Sequence, residues 1–269
     1  MRRISKANTQ ISGIKQRGQK PARNILTEPL KEGAKMILYI IRHGEPDYST
    51  GHLTEKGWLQ AEAVGKRMAK LGVDKIFASP ILRAQQTAEP ACRLLGIEKQ
   101  TEEWAHEIGD ERLTPFPDGE MKSISFVQNT YYRQNGNIDL PFDKAYECDG
   151  IKQSEMKKAV DYIEKNGNDF LERLGYKEEG GVYRILKENN EKVALFCHAA
   201  FSRAWISVLL HIPLHIMWSG FDYDFTGVTV IEFQNNENGL TAPKCLHYAD
   251  QSHLYAEGID KALNDVSQM

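Results

Sequence analysis

Short apolar segments recur along the chain, and this pattern predicts buried β-strands. Short continuous apolar runs are typical of strands that are covered on both faces. The first run passes directly into Arg-His-Gly at residues 42–44, and another ends at His198. The predicted strands are 36–41, 73–78, 193–197, 228–233 and 244–248, of which the last two flank an Asn-rich turn.

A first helix is predicted after the opening strand. Thr54 is a suitable N-cap for it. Val64, Met68 and Leu71 follow at the i, i+4 and i+7 positions of one helix face. We therefore expect a helix from about Thr54 to Leu71, ended by Gly72.

A second helix is predicted to begin at Ser79, with this serine as the N-cap and Pro80 at the first helical position. The helix should reach Leu95, with a kink or a loosened turn at Pro90. Arg83 then falls in the first turn, beside backbone N–H groups that have no helical partner. A guanidinium and a helix N-terminus at one place favour an anion.

The second half of the chain is less periodic. Helices are predicted over about 154–174 and 199–211. Residues 114–150, which precede these two helices, are rich in Pro, Gly and aromatic side chains. We expect them to lie over the sheet as the lid-like part of an insertion at about 112–190. The alternation of strands and helices predicts an α/β fold, a three-layer α/β/α sandwich with a mostly parallel central sheet.

Length and composition suit a single catalytic domain, predicted over 36–269. The chain has 269 residues, 41% hydrophobic and 26% charged, as in ordinary globular proteins. No apolar run approaches the roughly 20 residues of a membrane-spanning helix, and no secretory signal is recognisable. The four cysteines lie far apart without metal-type spacing. We therefore expect free thiols, a cytoplasmic location and no membrane partner.

The charge is unevenly distributed. Residues 1–35 carry nine Lys and Arg and two acidic residues, which leaves 25 basic and 35 acidic residues in 36–269. An acidic body is a poor surface for nucleic acid, so a nucleic-acid partner is not expected. The basic arm is interpreted as a disordered or loosely attached extension. A homodimer is compatible with the sequence, which does not specify the oligomeric state.

Two predicted strands end in histidine, His43 and His198, and two arginines, Arg42 and Arg83, join them. Parallel neighbouring strands bring their carboxyl ends to one edge of a sheet, where ligands bind in α/β folds. Two imidazoles and two guanidinium groups around one cavity match the oxygens of a phosphoryl dianion. The bland alternative for each residue, a polar loop after a strand, does not account for the combination.

The motifs that contain these residues resemble the histidine phosphatase superfamily, the phosphoglycerate-mutase-like group, in the phosphatase-bearing smaller branch. The similar segments lie in order between Met36 and about Phe233, whereas the arm and the insertion match little. The segments are Ile-Arg-His-Gly-Glu at 41–45, Leu-Thr-Glu-Lys-Gly at 53–57 with Gln-Ala at 60–61, Ser-Pro at 79–80, Arg-Ala-Gln-Gln-Thr-Ala at 83–88 and Phe-Cys-His at 196–198.

The resemblance implies a hydrolase that acts on a small phosphate monoester through a phosphohistidine. His43 is the implied nucleophile, neutral at the attacking nitrogen, with its other nitrogen donating to a nearby backbone carbonyl. Arg42, Arg83 and His198 are implied to hold the phosphoryl oxygens, with Gly44 beside them. Splitting the displacement into two in-line steps suits a reaction that is very slow without catalysis. The resemblance implies no metal and no cofactor.

The acid that protonates the leaving group is implied to lie in the carboxylate-rich segment 102–111. Glu107 is assigned from its place after an aromatic residue and before Ile-Gly, with Glu103 and Asp110 as alternatives. The remaining carboxylates of the segment are interpreted as a solvated acidic face.

Two departures from the family pattern concern substrate binding. Ser49 stands where many members have asparagine, and Ala199 stands where they have glycine after the second histidine. The Ser49 hydroxyl and the Ala199 backbone N–H are still expected to bind the phosphoryl group. The extended segment typical of the mutases is not recognisable, which leaves a cofactor-dependent phosphoglycerate-type phosphomutase and a non-catalytic phospholigand-binding regulator as the alternative functions.

Overall fold

The computed structural model describes residues 33–236 and 238–259, and the predicted arm 1–35 lies almost wholly outside these residues. The strands are β1 Lys35–Arg42, β2 Lys75–Ala78, β3 Lys99–Thr101, β4 Leu113–Pro115, β5 Met121–Ser123, β6 Tyr176–Glu178, β7 Tyr183–Ile185, β8 Lys192–Cys197, β9 Val228–Gln234, β10 Leu240–Thr241 and β11 Lys244–Asp250. The helices are α1 Glu55–Leu71, α2 Leu82–Leu95, α3 Met156–Arg173, α4 Ala199–Leu210, α5 Leu214–Gly220 and α6 Ser252–Ala256.

A six-stranded sheet in the order β11-β9-β1-β8-β2-β3 forms the centre of the molecule. β1, β8, β2 and β3 run parallel, and β9 and β11 add an antiparallel edge. Arg42 pairs with Cys197, so β1 and β8 end at the same level. The residues that follow these strands, His43 and His198, therefore emerge side by side. The predicted α/β/α sandwich with a mostly parallel sheet is confirmed.

The sheet is buried on both faces, which explains the continuous apolar runs of its central strands. In β1, Leu38 and Ile40 belong to one hydrophobic cluster, and Tyr39 and Ile41 belong to a second cluster on the opposite face. Residues in a strand alternate between faces, so both sets must be apolar when helices cover both sides. Helices α1 and α2 contribute to the second cluster, whereas α3, α4 and α5 contribute to the first.

Helix α1 agrees with its prediction. The Thr54 hydroxyl oxygen accepts a hydrogen bond from the Gly57 backbone N–H at 3.0 Å, as an N-cap should. At the other end Gly72 has φ 68°, the left-handed conformation that glycine adopts without strain.

The start of α2 was predicted wrongly. The helix begins at Leu82 rather than at Ser79-Pro80, and Ile81 occupies the N-cap position. Ser79 instead takes part in a hydrogen bond with His198, described below, so its side chain belongs to the site and not to the helix end. The helix continues through Pro90 to Leu95. Gly65 of α1 provides the room there, because a Cβ at Gly65 would lie 2.7 Å from the Pro90 Cβ.

The predicted insertion is packed into the domain. Residues 113–123 form the β4–β5 hairpin, short 3₁₀ turns follow, and α3 packs against α4. Tyr132 and Cys148 from the segment of 3₁₀ turns are buried in the cluster that contains α4 and α5. β6, β7 and β10 make a separate three-stranded sheet. The segment thus lies over the α4–α5 layer that covers one face of the central sheet.

Within the described part of the chain, no helix has both the length and the apolar character needed to cross a membrane. Cys92, Cys148, Cys197 and Cys245 are free thiols, as expected.

Candidate active site

His43 is anchored at the end of β1 by its own loop. Its Nδ1 lies 2.7 Å from the Gly44 carbonyl oxygen, and Arg83 Nε donates to its Nε2 at 3.0 Å. A carbonyl oxygen only accepts, so Nδ1 carries the proton and Nε2 presents a lone pair. The predicted hydrogen bond from the imidazole to a backbone carbonyl is confirmed. This geometry leaves Nε2 as the nitrogen available to attack an electrophile.

The imidazole of His43 is 2% exposed, and its environment opposes a positive charge. Burial lowers its pKa well below the usual value of 6.5, and the charges of Arg42 and Arg83 lower it further. The ring is therefore neutral at physiological pH. A neutral imidazole has the lone pair that a nucleophile requires.

His198 stands opposite His43 with a ring-centroid separation of 5.1 Å. Its Nε2 is 2.7 Å from the Ser79 hydroxyl oxygen, and its buried Nδ1 has no partner among the described residues. Burial, followed by the electrostatic interaction with His43 and Arg83, lowers its pKa well below the usual value of 6.5. Both histidines thus follow the end of a central strand and are neutral, but they differ in their hydrogen bonds.

Arg42, the last residue of β1, is 6% exposed and is held by the loop before β9. Its guanidinium lies 4.0 Å from the centroid of the Phe225 ring and donates to the Tyr223 carbonyl oxygen. The Phe225 ring is also 5.7 Å from the His43 ring. Loop 221–225 therefore forms one wall of the site.

Arg83 projects from the first turn of α2. Partial burial and the nearby charges of Arg42 and Arg112 lower its pKa, against the charges of Glu107 and Tyr48, which raise it. The side chain thus contacts His43 and interacts electrostatically with the candidate acid Glu107. An arginine beside the candidate nucleophile suits the binding of an anion there.

Glu107 is half-buried and is tied to α4. Its Oε1 accepts hydrogen bonds from the backbone N–H groups of Phe201 and Ile108, both at 3.0 Å. Phe201 lies in the first turn of α4, where an anionic group is favoured. The alternatives Glu103 and Asp110 are both exposed. The geometry supports Glu107 over these two, and its role as the acid stays a prediction.

The loop after β1 is fixed by close contacts that the sequence motifs did not explain. The Gly44 backbone N–H donates to Thr87 Oγ1 at 2.9 Å, and Thr87 donates to the Arg83 carbonyl at 2.7 Å. A Cβ at Gly44 would lie 2.6 Å from the Gly57 carbonyl oxygen, and a Cβ at Gly57 would lie 2.1 Å from the Glu45 oxygen. Glycine at both positions lets the start of α1 touch the nucleophile loop.

The three predicted substrate-binding residues outside the histidines and arginines lie in different settings. The Gly44 N–H is already engaged by Thr87. Ser49 is exposed, and its hydroxyl donates to Asp47 Oδ1 at 2.6 Å. Ala199 is the first residue of α4, where backbone N–H groups have no helical partner. The substrate contacts of all three residues stay predictions.

Among residues 33–236 and 238–259, no group of three or more His, Cys, Asp or Glu side chains is placed to hold a metal ion. The structure adds two residues to the site that were not predicted to belong to it, Ser79 and Thr87. Both lie within the segments that carry the family resemblance, which was the available signal for them.

A family model of the histidine phosphatase superfamily, branch 1, matches residues 38–114. This segment contains the end of β1, α1, β2 and α2. The serine/threonine-protein phosphatase Pgam5, mitochondrial, of Drosophila simulans is 41% identical to the chain over 84 residues. That alignment spans 29% of this chain and 29% of the relative's own length.

Two solved structures share the fold over most of the chain. Phosphoserine phosphatase of Entamoeba histolytica, in complex with 3-phosphoglyceric acid, has a TM-score of 0.52 at 23% identity and covers 81% of this chain and 99% of that chain. Mycobacterial glucosyl-3-phosphoglycerate phosphatase with VO3 has a TM-score of 0.53 at 17% identity, with 79% and 98% covered. The resemblance predicted from the motifs is confirmed.

Proposed function

We propose that this chain, which carries the sequence motifs and the fold of the histidine phosphatase superfamily, hydrolyses a small phosphate monoester through a phosphohistidine on His43. One observation carries the proposal. The Nδ1–H of a buried, neutral His43 is held by the Gly44 carbonyl, which leaves Nε2 beside the Arg83 guanidinium and the His198 ring. A nucleophile among fixed positive charge is what a phosphoryl dianion requires.

In the first step, His43 Nε2 attacks phosphorus, and an Nε2–P bond forms as the bond from phosphorus to the ester oxygen breaks. Arg42 and Arg83 balance the charge of the phosphoryl oxygens, and Glu107 gives its proton to the leaving oxygen. Positioned general acids of this kind contribute roughly 10²–10⁴-fold to a rate. The alcohol then leaves.

In the second step, water replaces the alcohol. Glu107, now a carboxylate, takes a proton from the water as the oxygen attacks phosphorus, and the Nε2–P bond breaks. Inorganic phosphate leaves, and both His43 and Glu107 return to their starting states. Each group that acts in the first step acts in reverse in the second, as a double displacement requires.

The size of the substrate is part of the proposal. A small metabolite ester is supported by the burial of His43 and His198, which are 2% and 0% exposed. The similarity to the Drosophila simulans serine/threonine-protein phosphatase favours a phosphoprotein instead, over the 29% of this chain that aligns. A phosphopeptide therefore belongs in the substrate panel as the second candidate.

The test combines turnover with capture of the intermediate. We expect hydrolysis of p-nitrophenyl phosphate at acid to neutral pH in the presence of a chelator, with metabolite phosphates and a phosphopeptide assayed in parallel. An alkaline quench followed by peptide mass spectrometry should find the phosphoryl group on the peptide that contains His43. Retention of the phosphoryl group on phosphoglycerate would indicate the mutase, and binding without turnover would indicate the regulator.

The proposed partner is a small-molecule phosphate ester. The cytoplasmic location and the possible homodimer stay predictions.

A further inference from the structure

The loop that forms one wall of the site is connected to His253, a residue that the proposed reaction does not use. His253 lies in α6 and is 5% exposed. Arg67 of α1 lies 3.3 Å from its Nδ1, and Thr226 Oγ1 lies 3.1 Å from its Nε2. Both ring nitrogens of this buried histidine therefore have a partner, and one partner is the residue that directly follows loop 221–225.

The hydrogen bonds of His253 run in one direction, from α1 to the loop. An arginine side chain can only donate, so His253 Nδ1 accepts from Arg67 and its Nε2–H donates to Thr226 Oγ1. The Thr226 hydroxyl in turn donates to the Phe225 carbonyl oxygen at 2.8 Å. Burial, followed by the charge of Arg67, lowers the pKa of His253 to about 4, so the ring is neutral at physiological pH.

Thr226 connects these hydrogen bonds to the candidate nucleophile. Its backbone N–H donates to the His43 carbonyl oxygen at 3.2 Å. The next residue, Gly227, accepts from the Arg42 backbone N–H at 3.2 Å. The preceding residue, Phe225, packs its ring against the His43 ring and the Arg42 guanidinium. Residues 225–227 thus contact both the candidate nucleophile and the arginine before it.

The backbone at Thr226 is strained. Its φ is 53°, in the left-handed region that glycine favours and that a β-branched residue rarely adopts. Such a conformation persists only where the surrounding contacts hold it in place. Thr226 is fully buried, and its side-chain hydrogen bonds with His253 and Phe225 provide such contacts. We expect the backbone hydrogen bond from Thr226 to His43 to loosen when the bond to His253 is lost.

Gln251, the residue before α6, supports the same loop. Its Nε2 donates to the Phe225 carbonyl oxygen at 2.7 Å. This oxygen also accepts from the Thr226 hydroxyl, so both of its lone pairs are used. Two side chains from the α6 region therefore hold the loop backbone, one at residue 225 and the other at residue 226.

We infer that His253 is a positioning residue for the proposed reaction, because through Thr226 it fixes the His43 carbonyl and the Phe225 ring beside the nucleophile. This inference rests on the proposed function and deepens it. A displacement of about 1 Å far from the chemistry can lower a rate about 100-fold although no reacting group is removed. Since His253 acts through Thr226 and not on the phosphoryl group, its loss should lower kcat and leave KM nearly unchanged.

Two substitutions separate the two contacts of His253. His253→Gln keeps an N–H near the place of Nε2, which can still donate to Thr226, and loses the acceptor for Arg67. His253→Asn keeps an acceptor for Arg67 and is too short to reach Thr226. We expect kcat for p-nitrophenyl phosphate to fall about 10-fold in His253→Asn and at most about 2-fold in His253→Gln, with KM within about 2-fold in both. Each variant loses one hydrogen bond of the same buried ring, so each is the control for the other.

Substitutions of Thr226 test the same contact from its other side. Thr226→Val removes the hydroxyl, keeps the branched shape and should lower kcat about 10-fold, whereas Thr226→Ser should restore most of the activity. In a His253→Asn background, Thr226→Val should add little, because the shared interaction is already absent. His215→Asn is the control for the loss of a buried imidazole, since His215 is fully buried in α5, and its kcat should stay within about 2-fold of the wild type.

Hydrogen exchange measured by NMR provides a readout that does not depend on turnover. The exchange rate of the Thr226 amide reports how often its bond to the His43 carbonyl opens. We expect this rate to rise about 10-fold in His253→Asn and to stay within about 2-fold of the wild type in His253→Gln.

The outcomes separate the two claims. Equal kcat values in His253→Asn and His253→Gln, or a Thr226 amide that exchanges at the wild-type rate in His253→Asn, would overturn the inference and leave the proposed function intact. A loss that appears in KM and not in kcat would also overturn it. No hydrolysis of any ester by the wild-type chain would contradict the proposed function itself, and the positioning role with it.

Discussion

The ends of β1 and β8 are alike in position and burial, yet their histidines are held in different ways. His43 is tied through Nδ1 to the carbonyl of the next residue, and its Nε2 faces Arg83. His198 is tied through Nε2 to a side chain from another loop, Ser79, and its Nδ1 has no partner in the described structure. Both rings are neutral because of burial and nearby arginines.

The difference teaches that position on the sheet does not assign a role to either histidine. A nucleophile needs one nitrogen fixed as a donor and a lone pair on the other, and only the β1 end fixes this tautomer, through the hydrogen bond from Nδ1–H to a carbonyl oxygen. The β8 end supplies a ring whose orientation depends on a remote hydroxyl, which suits the binding of a phosphoryl oxygen. The comparison therefore predicts unequal losses when the two ends are altered.

The largest effect should come from the histidines themselves. We expect His43→Ala to lower kcat for p-nitrophenyl phosphate by at least about 10⁴-fold, as removal of a covalent nucleophile does. His198→Ala should lower it by about 10²–10³-fold, as loss of one stabilising donor does. Steady-state kinetics on both variants, with circular dichroism as the check on folding, provide the measurement. Equal losses would show that the different hydrogen bonds do not assign the roles.

The next largest effect should come from Gly57, which lets α1 pack closely against the loop that follows β1. A Cβ at Gly57 would lie 2.1 Å from the Glu45 carbonyl oxygen, so Gly57→Ala must displace the nucleophile loop. We expect the free energy of unfolding to fall by about 1–3 kcal/mol, with a loss of turnover. Chemical denaturation is the measurement.

Gly220→Ala is the control for this steric effect. There the nearest atom to the added Cβ is the end of a flexible side chain, Arg133 Nη2 at 3.0 Å. Its free energy of unfolding should change by less than about 0.5 kcal/mol. A similar cost in both variants would mean that the Gly57 contact is not the cause.

The local parts of the site could be predicted from the sequence, because short strands and the residues that follow them form local patterns. His43, Arg42, Arg83 and His198 stand next to apolar runs or helix starts, and a parallel sheet brings such places to one edge. The boundaries of α1 followed from its cap and its spacing for the same reason, as Gly72 illustrates.

The contacts that distinguish the two histidines could not be predicted, since they depend on strand register. Ser79 meets His198 because Ala78 of β2 pairs with Phe196 of β8, a contact between residues far apart in the chain. The serine also resembles a helix cap, and local reasoning placed it in that role. The secondary structure of the insertion between Ile124 and Glu147 could not be predicted for another reason. Its 3₁₀ turns are too short to produce a periodic pattern of apolar residues.

His43 and His198 should both contribute to the pH dependence of the free energy of unfolding. The pKa of each histidine is lowered from 6.5 in the folded chain, so below pH 6.5 the unfolded chain binds more protons than the folded chain. The free energy of unfolding should therefore fall as the pH drops from about 7 to about 5, by up to about 1.4 kcal/mol per pH unit for each histidine.

Urea unfolding at several pH values tests this dependence on the wild type, His43→Asn and His198→Asn. Each variant should lose a similar part of the slope, while His215 and His253, whose pKa values are also lowered by burial, contribute the same background to all three proteins. If the slope of the free energy of unfolding against pH changes in only one variant, the two histidines do not have similar electrostatic environments.

The smallest effect should come from Ser79, which acts on the β8 end alone. Ser79→Ala removes the 2.7 Å hydrogen bond to His198 Nε2, and we expect kcat/KM to fall about 3- to 10-fold. Ser252→Ala, which removes a surface hydroxyl bonded to Asp250, should have no such effect. If Ser79 works through His198, then Ser79→Ala adds no further loss in a His198→Ala background, because the shared interaction is already absent. A further loss there would mean that Ser79 acts independently of His198, by contacting the phosphoryl group directly.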